Sequence, residues 1–129
     1  MEYIYCFANA SLTIRLIEYL NNKMLPYLDS ISVIHLLDSW IIKLKMKTPF
    51  TSQQDGDFRA YLNEIGIAYN PNIIVKMALY SLEQGLSPVE VMHCFQIVVV
   101  SHGYPQREEI DCFRQKVIEG LGYCPKNLT

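Results

Sequence analysis

The chain has 129 residues, of which 50% are hydrophobic and 19% are charged, and its formal net charge is −2. A chain of this length forms one domain and can bury a core without help from a metal ion or disulfide bonds. The near-neutral net charge gives no global electrostatic reason to expect binding to nucleic acid or to an anionic membrane. We therefore expect a single domain over residues 1–129.

The cysteines and the N-terminus indicate the compartment. The four cysteines are scattered and form no C-x-x-C pair: Cys6, Cys94, Cys112 and Cys124. Scattered thiols are typical of a reduced intracellular protein. The first ten residues lack the basic start and apolar block of a signal peptide, and the longest apolar stretch, 31–44, is too short to span a bilayer. We expect a soluble, cytoplasmic protein.

The N-terminal half shows apolar residues at helical spacing. Residues 1–8 are aromatic and apolar, and their pattern does not decide between a short strand and a first helical turn. A helix is predicted from Asn9 or Ser11 to about Asn22. A second helix is predicted from the Asp29–Ser30 cap to Lys47, because apolar residues recur every three or four positions and lysines crowd its end, where cations complement the helix dipole.

Polar and glycine-rich stretches divide the middle of the chain. The segment 48–57 is predicted to be a mobile loop, followed by a short helix over 58–65 that stops at Gly66. Asn70 and Pro71 form a cap followed by proline, which predicts a helix that runs to about Gln84. Gly85 is suited to ending that helix.

The segment 87–103 has residues at its two ends that are suited to starting and ending one long helix. Ser87 can cap it, Pro88 fits its first position, and Glu90 can complete a capping box. Gly103 would end this helix, which is apolar on nearly every side, so it should be surrounded by other helices. The run 97–100 is β-branched and would also suit a buried strand, but the caps and the length favour a helix.

A final helix is predicted from Pro105 to Gly120 or Gly122, where apolar residues again recur at helical spacing. Together these elements predict an all-α fold. We expect a single-domain bundle of five to six helices around the central apolar helix at about 88–102.

No motif in the sequence indicates catalysis or cofactor binding. The histidines and cysteines of the C-terminal third lack the paired spacing of a zinc site, and there is no phosphate-binding loop or nucleophile elbow. We therefore expect no catalytic residues, cofactor or metal. A small enzyme with an unrecognised site remains an alternative.

Tyrosine is abundant, at nine residues, and it is suited to anchoring protein interfaces. The function predicted from this is a small intracellular adaptor or regulator that acts by protein–protein interaction, as a homodimer, with an unknown protein partner. The predicted partner-binding residues are aromatic and lie in the N-terminal segment and after position 103: Tyr3, Tyr5, Phe7 and Tyr104.

The alternative is a helix-turn-helix DNA-binding regulator built from helices at about 71–84 and 88–102. Its nucleic-acid contacts would be the lysines predicted at a helix end: Lys43, Lys45 and Lys47. Against this alternative, the second helix carries no arginine or lysine that could reach a base or a phosphate.

Overall fold

The computed structural model describes all residues, 1–129, and shows a five-stranded antiparallel sheet with helices on both faces. The strand order is β4-β1-β3-β2-β5. The strands are β1 (Glu2–Phe7), β2 (Leu28–Leu36), β3 (Ser39–Met46), β4 (Ile67–Ala68) and β5 (Val98–Gly103). The helices are α1 (Ala10–Tyr19), α2 (Ser52–Ile65), α3 (Ile73–Glu83), α4 (Pro88–Phe95) and α5 (Arg107–Leu121). The prediction of an all-α bundle is therefore wrong.

The predicted second helix is the β2–β3 hairpin. Its strands pair from Leu28↔Met46 to Leu36↔Ser39, leaving a two-residue turn at Leu37 and Asp38. Leu37 has φ 55°, a left-handed conformation that costs a leucine free energy and that hairpin turns usually give to glycine or asparagine. The apolar residues suit both structures because a strand buried on both faces is apolar at nearly every position.

The predicted central helix is divided into a helix and a strand. The Ser87 hydroxyl accepts from the Glu90 N–H as expected, but α4 ends at Phe95 and Gln96 takes the left-handed conformation with φ 55°. The β-branched valines that follow form β5, which pairs antiparallel with β2. The central helix at 88–102 is therefore absent, and the β-branched run was the correct signal.

Several other boundaries follow the local signals. Asn9 caps α1 through its side-chain oxygen, which confirms the predicted start of that helix. Residues 2–7 form a strand, which settles the alternative left open there. Helix α2 begins at Ser52, inside the predicted loop 48–57, because Thr51 and Gln54 form a capping box. Short 3-10 and π-helical turns occupy 20–27 and 126–128.

The sheet has a separate core on each face. Nineteen buried residues form the larger core with α1, α2 and α5, which we call the first layer. Nine buried residues form the smaller core with α3 and α4, which we call the second layer. Alternating side chains of β3 serve both cores, since Trp40 faces the first layer and Ile41 the second.

Candidate protein-binding surface

The aromatic residues of β1 lie in the first core and not on the surface. Tyr3, Tyr5 and Phe7 are 2%, 4% and 0% exposed. The Tyr3 hydroxyl donates to Asp55 Oδ1 at 2.6 Å, and burial, followed by this carboxylate, raises the pKa of Tyr3 far above its ordinary value. The three residues cannot form a partner-binding surface in this fold, because alternation along a strand directs all of them inward.

Tyr104, the fourth predicted partner-binding residue, is 70% exposed. It follows Gly103, whose φ of 119° is readily adopted by glycine but is strained for other residues. It precedes Pro105, which is buried. The end of β5 thus presents Tyr104 to solvent, and its role in partner binding stays a prediction.

The three lysines do not gather at a helix end, because 43–46 belongs to β3. Lys43 is buried and pairs with Glu2 at 3.3 Å and also with Glu83 of α3. Lys45 lies 4.0 Å from Asp29, and Lys47 is exposed beyond the strand. An ammonium group that is buried and paired as in Lys43 is not available to a phosphate.

Helices α3 and α4 are consecutive, as the helix-turn-helix alternative requires, but α4 has only eight residues, P-V-E-V-M-H-C-F, without arginine or lysine. The part of the predicted recognition helix beyond Phe95 contributes to β5 instead. The segment therefore lacks both the length and the charge that this alternative needs.

Helix α3 has two apolar faces. Its inner face is buried against the sheet and carries Val75, Ala78, Leu79 and Leu82. Its outer face carries four large apolar residues that are 68%, 51%, 50% and 62% exposed; we call them the α3 stripe: Ile73, Ile74, Met77 and Tyr80. Positions 73, 77 and 80 follow one another at the i, i+4, i+7 spacing of a single helix face.

The α3 stripe is comparable in size to the largest apolar patch of a typical single chain, and such patches are often functional. Four side chains exposed to this degree present on the order of 400 Å² of apolar surface. The only charged residues of α3 are Lys76 and Glu83, and Glu83 is engaged by Lys43. Val89, in the first turn of α4, is exposed to 72% as well. Apolar residues occupy both faces of α3, so their spacing in the sequence does not show which of them stay exposed.

An ion pair holds α3 to the sheet, and a polar contact between two strands lies beside it. The Lys43–Glu83 ion pair joins the last turn of α3 to the centre of β3. Beside it, Ser32 Oγ of β2 lies 2.7 Å from His102 Nδ1 of β5. Burial lowers the pKa of His102; Glu83 raises this pKa to a smaller extent and Lys43 lowers it. The stripe is thus presented by a helix that is held in place and not by a mobile segment.

The cavities of the molecule lie elsewhere. Tyr19, Tyr27, Phe50 and Phe58 are among the residues that line a pocket of about 180 Å³ in the first layer. A cleft of about 340 Å³ lies between α1 and α5, where the Arg107 guanidinium is paired with Glu18 and Asp111. A third cavity, of about 410 Å³, lies by Asp38 and residues 125–127.

None of these cavities includes the Ser32–His102 contact, which is the only contact between a hydroxyl and a histidine. Ser32 is also 4% exposed, so a substrate could not reach it. No group of three or more His, Cys, Asp and Glu side chains is arranged to hold a metal ion. No helix combines the length and the hydropathy required to cross a membrane.

The architecture defines the class of this protein as an antiparallel α/β fold with a helical layer on each face. No protein-family model and no curated protein matches the sequence. The chain is similar in structure to a solved domain described as "Crystal structure of the c-terminal domain of YpbH", with a TM-score of 0.51 and 17% sequence identity. The match covers 81% of this chain and 90% of that domain. At this identity the similarity concerns the fold alone.

Proposed function

We propose that the protein is a small interaction module, an adaptor or regulator, that binds another protein through the α3 stripe. The observation that carries this proposal is the uncovered apolar outer face of α3. The inner face of the same helix already supplies what folding requires, so the outer residues have no structural role in the isolated chain. Apolar patches of this size on a protein surface are often functional, and protein binding is one such function.

The chemistry of the stripe indicates the kind of partner. Residues at i, i+4 and i+7 form a straight seam, and such a seam fits the apolar face of an amphipathic helix. Covering about 400 Å² of apolar surface would release about 10 kcal/mol before the costs of association are subtracted. Met77 at the centre is flexible and can adapt to the shape of a partner, while Tyr80 can anchor it.

The experiment compares two double variants in partner capture. Ile74→Lys/Met77→Lys places two charges in the stripe. Gln53→Lys/Ala60→Lys places the same two charges on exposed positions of α2, in the first layer. A protein captured by the tagged wild-type chain after nuclease treatment is purified, and its affinity for the three chains is measured by calorimetry.

The proposal predicts that the stripe variant binds the purified partner at least about 30-fold more weakly, while the α2 variant binds like the wild type. Affinity should change little between about 50 and 200 mM salt, because apolar contacts and not phosphates supply it. Equal weakening by both variants would contradict the proposal. So would recovery of nucleic acid with a steep loss of affinity in salt.

A further inference from the structure

The sheet has one long edge without a partner strand. β4, at one end, has only two residues and covers part of β1. β5, at the other end, has six residues and pairs with β2 on one side only. The backbone groups on its outer side have no hydrogen-bond partner within the chain.

The composition of β5 lacks the features that usually protect an edge strand. Natural edges are blocked by lysine, by proline, by a large bulge or by an element that covers them. The sequence V-V-V-S-H-G contains no charged residue and no proline, whereas Glu2, Asp29, Lys43 and Lys45 place charges on β1, β2 and β3. One protective feature is present in β5, a register irregularity opposite Val33 and Ile34.

We propose that β5 pairs antiparallel with β5 of a second copy of this chain, so that two five-stranded sheets become one continuous sheet. An antiparallel pair of identical strands has two-fold symmetry and closes upon itself, so each copy uses its only long edge and no filament forms. A six-residue pair supplies about six interchain backbone hydrogen bonds.

The residues around the edge are suited to this pairing. No charge on β5 would meet its own copy, and the only titratable group of the strand is His102, whose side chain is engaged by Ser32. Val98 is 38% exposed at one end of the strand, and Tyr104 is 70% exposed immediately beyond the other end. In an antiparallel pair Val98 of one copy comes near Tyr104 of the other, which adds apolar contact to the backbone hydrogen bonds.

The pairing residues lie in β5 and the stripe lies in α3, so the inference rests on different residues from the function proposed above. The test is sedimentation equilibrium of the full chain at about 200 μM, a concentration at which weak self-association is populated. Val98→Lys places a charge on the edge. Val89→Lys makes the same change on α4, at another exposed valine, and Tyr80→Lys makes the corresponding change on the stripe.

The proposal predicts that the wild type sediments at twice the chain mass of 14.9 kDa. Val98→Lys should weaken dimerisation at least about tenfold, and the two helix variants should dimerise like the wild type.

Hydrogen exchange provides a second measurement, in which the amides of 98–103 become more protected as protein concentration rises. A monomeric wild type would overturn the proposal and leave the edge to a strand of another protein. A dimer broken by Val89→Lys or Tyr80→Lys, or one without added protection in β5, would also overturn it.

Discussion

Helices α2 and α3 lie on opposite faces of the same sheet, yet their outer faces differ in polarity. Both bury apolar residues against the sheet: Phe58, Leu62 and Ile65 in α2, and Val75, Ala78, Leu79 and Leu82 in α3. The outer face of α2 carries Asp57, Arg59 and Glu64, whereas that of α3 carries the apolar stripe. The difference gives α3, in the second layer, a more apolar outer face than α2 has in the first layer.

The first prediction concerns one buried side chain in each of the two cores. Trp40 is fully buried, contacts Phe113 edge-to-face and donates from Nε1 to the Asn127 carbonyl at 2.8 Å. Trp40→Ala should lower the free energy of unfolding by about 3–5 kcal/mol. Leu79→Ala in the smaller second core should cost about 2–3 kcal/mol. Urea unfolding followed by circular dichroism measures both values, and a loss below about 1 kcal/mol in either variant would contradict the burial of that side chain in its core.

The second prediction concerns the ion pair that holds α3. Lys43→Met leaves the Glu83 carboxylate buried without its partner and should cost about 3 kcal/mol. Glu83→Leu in the same chain removes the orphaned carboxylate and should restore most of this loss. The measurement is a double-mutant cycle in urea. If the two changes were simply additive, the ion pair would not be a coupled contact and α3 would be held by its apolar face alone.

The third prediction concerns pH and both faces of the sheet. Burial lowers the pKa of His35, on the first-layer side, and of His102, on the second-layer side, below 6.5. The folded chain therefore binds these protons less readily than the unfolded chain. The stability they contribute is complete above about pH 6.5 and is lost as the pH falls through the lowered values.

The melting temperature should accordingly fall between about pH 7 and pH 5. His102→Gln and His35→Gln should each make this fall smaller, and the double variant should show the smallest fall. A melting temperature that rises over the same interval, or a fall unchanged in the double variant, would contradict the burial of neutral imidazoles.

The smallest effect on stability is predicted for the stripe itself. Tyr80→Lys should change the free energy of unfolding by no more than about 0.5 kcal/mol, because the side chain is 62% exposed and no element covers it. Leu82→Lys, two residues further along the same helix but on its buried face, should prevent folding. A large loss in Tyr80→Lys would mean that the stripe is part of the core.

The sequence permits prediction of those elements whose ends carry capping residues. The starts of α1, α3 and α4 follow from Asn9, Asn72 and Ser87, whose side chains accept backbone hydrogen bonds in the first turns. The cap-plus-proline signal at 70–71 placed the start of α3 two residues early, since Pro71 precedes the cap. The Thr51–Gln54 capping box was present in the sequence and would have located the start of α2.

The sheet could not be recognised from spacing alone. β2 and β3 are buried on both sides, so their apolar residues fit the helical period as well as the strand period. Their turn uses Leu37 in a left-handed conformation, without the Asn-Gly or Asp-Gly pair that indicates a hairpin. The choice of predicted partner-binding residues depended on this error. Without β1 assigned to the sheet, its aromatic residues could be taken for surface.

The most direct test of the central claim, that the α3 stripe binds a protein, is site-specific photo-crosslinking. Tyr80 is replaced by p-benzoylphenylalanine, which retains an aromatic ring, and the same residue is placed at the exposed Lys116 of α5 as the control. The account predicts one defined protein adduct from position 80, lost when Met77→Lys is added, and no such adduct from position 116. An absent adduct at position 80, or the same adduct from both positions, would contradict it.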